Sequence, residues 1–125
     1  MVFRSEEHKQ IQNSCIYRFF CKKYFQNGNI YRIVGPAEIK YYENTQIKYV
    51  VYYEKENFIH REDGPAKIVY YQDGTLKCKI YFRNDDLYMP NEIEPFCVEY
   101  DENGKHVYSH CHANNLKSTL YFTLL

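Results

Sequence analysis

Three histidines near the end of the chain, His106, His110 and His112, stand at even spacing, which places side chains on one face of a β-strand. Imidazoles so arranged can ligate zinc, with a further ligand from a loop or a second chain. Same-face neighbours on a strand are roughly 7 Å apart, wide for one ion unless the strand bends. A polar terminal unit that caps the chain and meets water accounts for the same residues. His60-Arg61-Glu62-Asp63 holds the residue types of acid–base chemistry. Its place just before Gly64-Pro65, where a chain turns, instead reads as a structural corner. Cys111 lies between His110 and His112, yet adjacent strand residues point to opposite faces. None of Ser5, Ser14, Ser109 and Ser118 sits in a nucleophile elbow, and the Asp-Gly and Asn-Gly pairs read as hairpin turns, not phosphate loops. The expectation is a non-catalytic chain with no cofactor and no resident metal, a zinc-stabilised module being the alternative.

A second constellation mixes lysine with tyrosine. Lys40, Tyr42, Lys48, Tyr52, Lys67, Tyr71, Lys77, Lys79 and Tyr81 are expected on one outward sheet face. Its candidate partner-binding residues are Tyr42, Lys48, Tyr52, Tyr71, Lys77, Lys79 and Tyr81. Exposed tyrosines suit a protein interface. The alternative is a single nucleic-acid strand, its bases stacked on tyrosine and its phosphates met by lysine. Sixteen Lys and Arg against sixteen Asp and Glu give a formal net charge of zero, which tells against the nucleic-acid strand and suits an ordinary solvated β face.

The elements that must carry these residues are β-strands. The 125 residues suit one domain, and 18% aromatics, from fifteen Tyr and eight Phe, exclude disorder by composition. No run of residues is apolar enough to cross a membrane, and Met1-Val2-Phe3-Arg4 opens no secretion signal. The five cysteines, Cys15, Cys21, Cys78, Cys97 and Cys111, are odd in number and form no Cys-x-x-Cys pair. Reduced thiols in a cytoplasmic compartment follow.

The chain repeats itself. Gly35-Pro36-Ala37 recurs 29 residues on as Gly64-Pro65-Ala66, and in fainter form 30 further on as Glu94-Pro95-Phe96. Each is followed by a Tyr/Ile/Val run, a turn (Glu43-Asn44-Thr45, Gln72-Asp73-Gly74, Glu102-Asn103-Gly104) and a second apolar run. This predicts an all-β fold: one antiparallel sheet of successive β-hairpins, with roughly seven or eight strands spanning about 35 Å. The expected units are a leading half-unit at 16–25, read as a single strand, repeats at 26–53, 54–82 and 83–112, and a C-terminal cap at 113–125. The sequence also allows a short N-terminal helix over Ser5 to Asn13.

Burial selects the hairpin register. A two-residue loop on Asp73-Gly74 pairs Val69 with Cys78 and mixes Ile68 and Tyr70 with Lys77 and Lys79. A three-residue loop, with Gly74 in a left-handed bulge position, gathers Ala66, Ile68, Tyr70, Leu76, Cys78 and Ile80 on one face. The second solution is expected, and it likewise gathers Ala37, Ile39, Tyr41, Ile47, Tyr49 and Val51. Carried to the last unit, it puts His106, Tyr108, His110 and His112 together, with Cys97 and Cys111 opposite. An apolar face must be covered. With little chain to spare for a second layer, a homodimer through that face is one expected solution.

Residues 57–74, with His60-Arg61-Glu62-Asp63-Gly64-Pro65-Ala66 at their centre, resemble the His-Arg-x-Asp-Gly-Pro-Ala repeat of MORN-like proteins, found in large DNA viruses, phages and bacteria. The first unit keeps Arg32 and Gly35-Pro36-Ala37; the third keeps Pro95 and the Tyr100–Gly104 hairpin. The resemblance implies a binding or scaffold module without catalytic residues. It further implies a viral or phage accessory protein, or an inhibitor of a host factor.

Overall fold

A computed structural model of the chain describes residues 13–91 and 95–110. The expected N-terminal helix, the C-terminal cap, Cys111 and His112 lie outside those residues. The fold is all-β and antiparallel. Its strands are β1 (Ser14–Arg18), β2 (Cys21–Gln26), β3 (Asn29–Ile30), β4 (Glu38–Tyr41), β5 (Ile47–Val51), β6 (Lys67–Tyr70), β7 (Leu76–Ile80), β8 (Phe82–Arg83), β9 (Asp86–Leu87), β10 (Cys97–Tyr100) and β11 (His106–His110). The main sheet runs β1-β2-β4-β5-β6-β7-β10-β11, with β3 paired to β2 and β8–β9 forming a separate small ribbon.

Three hairpins, β4–β5, β6–β7 and β10–β11, close with the expected three-residue loop. Tyr71 N–H donates to the Thr75 carbonyl (2.8 Å), and Gly74 sits at φ 92°. Tyr42 with Gln46 and Asp101 with Lys105 repeat that bond, also at 2.8 Å. Thr45, at φ 71°, stands where the other two loops have glycine. Beyond the turn the expected register fails. Tyr70 pairs with Leu76, but Val69 pairs with Cys78 and Ile68 with Lys79. One extra residue, Lys77, is taken up by a β-bulge, and Lys48 and Val107 occupy the same place in the sister hairpins. Each strand therefore changes the face it offers partway along. The loop is the three-residue one, and the body of the sheet has the register that burial alone argued against.

The pairing gives the sheet an inner face carrying Glu38, Lys40, Tyr49, Val51, Lys67, Val69, Cys78, Ile80 and Cys97. The other face carries Ile39, Val50, Ile68, Lys79 and Val98 in one row. The expected lack of a second layer also needs correction. After each second strand of the first three hairpins the chain makes a small ribbon: Phe25 opposite Ile30, Tyr53 opposite Ile59, Phe82 opposite Leu87. Ile59, Phe82, Leu87 and Phe96 pack with Val51, Val69, Cys78, Ile80 and Cys97 as the buried core. The apolar half of the inner face is thus covered from within the chain.

The leading unit differs from expectation as well. It is a full hairpin, β1–β2, turning on Phe19 and Phe20 at φ 53° and 59°. Two successive left-handed residues make the tight turn that suits twisted strands, but it is ordinarily built from Asn and Gly. Phenylalanine gave no sign of it.

Candidate functional site

The Arg-x-x-Gly-Pro-Ala corners are built twice to one plan. The Arg61 guanidinium lies 3.9 Å from the centre of the Tyr52 ring, donates to the Pro65 carbonyl at 3.2 Å and meets Asp63 at 3.5 Å. It also crosses Gly64 so closely that a Cβ there would come within 3.0 Å of its Cζ. Arg32 repeats this arrangement with Tyr24 at 3.9 Å, the Pro36 carbonyl at 3.4 Å and Gly35. Glycine is needed so that the planar cation can lie flat between ring and backbone. Ala37 and Ala66 then enter the sheet fully buried. His60 is held from both sides: its Nδ1 accepts from the Asn84 N–H (3.2 Å), and its Nε2 faces Glu62 Oε2 at 2.5 Å. The residues that suggested acid–base chemistry are therefore engaged in holding the corner.

The nine Lys and Tyr residues expected on one face are divided by the bulges. Lys67 is buried in the inner face, its ammonium 4.6 Å from the centre of the Tyr49 ring, and burial lowers its pKa to about 8. Lys40, also inner, donates to the Phe19 carbonyl at 3.0 Å. Lys79 shares the opposite face with Ile68 and Val98. Tyr52 lies under Arg61, and Tyr81 is buried with its edge against Tyr88. Tyr42 and Tyr71 turn their hydroxyls onto the main chain of the next hairpin, at the carbonyls of Tyr70 (2.7 Å) and Tyr100 (2.8 Å). Burial raises the pKa of both phenols. Lys48 and Lys77, the bulge residues, stand 5.8 and 5.7 Å over those two rings. Only the Tyr42–Lys48 and Tyr71–Lys77 pairs come together, and each serves a junction between hairpins.

The histidine face is divided too. His106 pairs with Tyr100 and His110 with Cys97, with the Val107 bulge between them, so their register positions fall on opposite faces. The same register puts Cys97 on the side of His110, against the expected separation. No group of three His, Cys, Asp or Glu close enough to hold a metal occurs among the described residues.

What the sequence reading missed lies at the first hairpin. All five residues of β1 are exposed, and among the described residues β1 pairs with β2 alone. Ile16 (51% exposed), Tyr17 (58%), Phe19 (80%) and Phe20 (43%) stand out there, joined by Ile33 and Val34 at the first corner. The second corner carries Glu62 and Asp63 at the places of Ile33 and Val34, within the same Arg-Gly-Pro geometry. The corner therefore does not require apolar residues there. Comparing a sequence position with its own internal copy was the signal available for Ile33 and Val34.

Beside β1 the inner face is open. Here a hollow of about 420 Å³ is lined by Ile16, Phe19, Phe25, Arg18, Lys23 and Lys40, with Glu38 on its floor. Glu38 is held by the hydroxyls of Tyr49 (2.9 Å) and Tyr53 (3.2 Å). None of Arg18, Lys23 and Lys40 forms a salt bridge among the described residues. Cys15 and Cys21 flank this region, and all four described cysteines are free. No helix among the described residues is long and apolar enough to cross a membrane. Compared with protein-family models, with curated proteins and with solved structures, the chain matches none.

Proposed function

We propose that this chain is a non-catalytic protein-binding module that takes an extended segment of a partner onto the side of β1 that no other described strand pairs. The observation that carries the reading is the strand Ser14–Arg18, at the sheet edge among the described residues and exposed at all five positions, with Ile16 and Tyr17 about half exposed. Folded chains ordinarily blunt such an edge with charge, proline or cover; here the charge is of one sign, Arg18 in the strand with lysines beside it, which deters a like edge and not an acidic one. An edge with exposed backbone groups is a template on which a second chain pairs its backbone, with alternate side chains choosing the partner. The apolar inner face offers less, since the small ribbons cover its core half. The resemblance of His60–Ala66 to MORN-like repeats agrees with a binding or scaffold role. A viral or phage accessory protein, or an inhibitor of a host factor, acting in a reducing cytoplasm is the setting that role and the free cysteines favour.

The test compares capture from host lysate by the wild-type chain and by Tyr17→Pro, a change that removes the N–H of a strand centre. Capture is done with and without nuclease and followed by cross-link mapping. A nuclease-resistant protein that cross-links to residues 14–20 and is lost with Tyr17→Pro supports the reading. A captured species mapping elsewhere, or one lost with nuclease, overturns it.

A further inference from the structure

The β1 edge, open among the described residues, is not neutral. A strand added to β1 points alternate side chains over the inner face, beside Ile16 and Arg18, and the others beside Tyr17. The inner positions open into the hollow that holds Arg18, Lys23 and Lys40, where the one carboxylate among the described lining residues, Glu38, accepts from two tyrosine hydroxyls. On the opposite face Lys22 stands 5.9 Å over the Tyr41 ring and pairs with Tyr17. Both sides of this edge are therefore cationic on a chain whose formal net charge is zero. The Lys40 ammonium gives one hydrogen bond to the Phe19 carbonyl, and such a group carries further donors. Ile16, Phe19 and Phe25 give the hollow apolar walls beside its three cations.

We propose that the segment recognised on β1 is an acidic-apolar strand. It carries a carboxylate beside Arg18 and an aliphatic or aromatic side chain two residues away beside Ile16. The carboxylate enters the hollow and is met by Arg18, Lys23 and Lys40. The residue between them lies against Tyr17. This rests on the edge-pairing function proposed above and adds its specificity. Basic segments are disfavoured because a further cation in the hollow meets three like charges against the single Glu38 carboxylate.

The probe is a displayed library of random twelve-residue peptides, selected in parallel on the wild-type chain and on the charge-reversed variant Arg18→Glu/Lys40→Glu. Circular dichroism checks that the variant is folded; if it is not, Lys23→Glu, a change at an exposed side chain, takes its place. The proposal expects the wild type to enrich peptides with Asp or Glu two residues from an aliphatic or aromatic residue. A synthetic copy should bind at least tenfold more weakly to the variant, and the variant should enrich Lys or Arg at the acidic place. Amide shifts of the labelled chain on binding should centre on residues 14–18. Peptides that shift those amides but show no acidic preference overturn the proposal and leave edge pairing standing. Peptides that shift other residues overturn both. A twelve-nucleotide oligothymidylate that binds the hollow more tightly than any selected peptide also overturns the proposal, in favour of a phosphate backbone.

Discussion

Lys67 is the most informative residue to change, because it carries a charge within an otherwise apolar stretch of the inner face. It is 4% exposed, it pairs with Val51 and Ile80, and its pKa is lowered from 10.5 to about 8, with burial the largest cause. A folded state that binds the proton less tightly than the unfolded chain pays most at low pH. Below pH 8 both states are protonated, and the displacement corresponds to about 3 kcal/mol of destabilisation at pH 7. As pH rises through 8 the folded state sheds the proton first. The cost falls to about 2 kcal/mol at pH 9 and vanishes above the unfolded value. Replacement by methionine keeps the length and removes the charge, together with the Tyr49 ring contact and the attraction to Glu38. With those losses set against the gain, Lys67→Met should stabilise the chain by about 1–2 kcal/mol at pH 7. The assay is urea unfolding of both proteins at pH 7 and pH 9. The wild type should gain about 1.3 kcal/mol between the two, over and above any change in the variant. If the two respond to pH in parallel, or if methionine destabilises at pH 7, the ammonium is not penalised by its site and the reasoning fails.

The corners give a second expectation. Arg61→Lys should lose about 1–2 kcal/mol in urea unfolding, nearly as much as Arg61→Ala, because a lysine ammonium cannot lie flat between Tyr52 and Gly64 while reaching Pro65. Full rescue by lysine would mean that charge, not planarity, holds the corner. At the first turn, Phe19→Asn with Phe20→Gly should stabilise the β1–β2 hairpin by about 1–2 kcal/mol, read as slower hydrogen exchange of Ser14–Arg18, since both residues have positive φ. Unchanged exchange would show that the aromatic side chains offset the strain. Finally, Cys78, with its pKa raised to about 12 by burial, and Cys97, raised by the same cause, should stay unmodified by a thiol reagent at pH 8 in the native state. Exposed Cys15 should react, and equal labelling at all three would argue against the buried core.

The hairpin sheet was legible because its turns are written in residue types. Asp73-Gly74 and Asn103-Gly104 announce loops, and three closely spaced copies fix the period. The bulges were not legible, because an extra Lys48 or Lys77 looks like any outward lysine in an alternating pattern. That one residue divided the expected Lys/Tyr face and the expected histidine face. The covering ribbons escaped notice for a different reason. Each offers only one or two pairs, such as Phe82 with Leu87, too few to show a period. The edge strand was hidden by its turn, since Phe19-Phe20 carries none of the usual turn chemistry.

The tyrosine tethers have a consequence for how the chain comes apart. Tyr42 and Tyr71 each bind the backbone of the following hairpin, so the second hairpin is coupled to the third and the third to the fourth by the same bond. Such a chain behaves as a one-dimensional lattice, with a stability for each unit and a coupling for each neighbouring pair. The first hairpin stands outside this regularity. It joins the second through the β2–β4 ladder, as the later hairpins join one another, and through the main chain of Phe19 and Phe20, met by Lys40 and Tyr41, but it lacks the bulge and, among the described residues, the tyrosine tether. With the ladders alike, the missing tether leaves the weakest coupling between the first unit and the rest. Opening should start there and stop at the second hairpin, leaving the other three units folded while β1 is remade against whatever strand it meets.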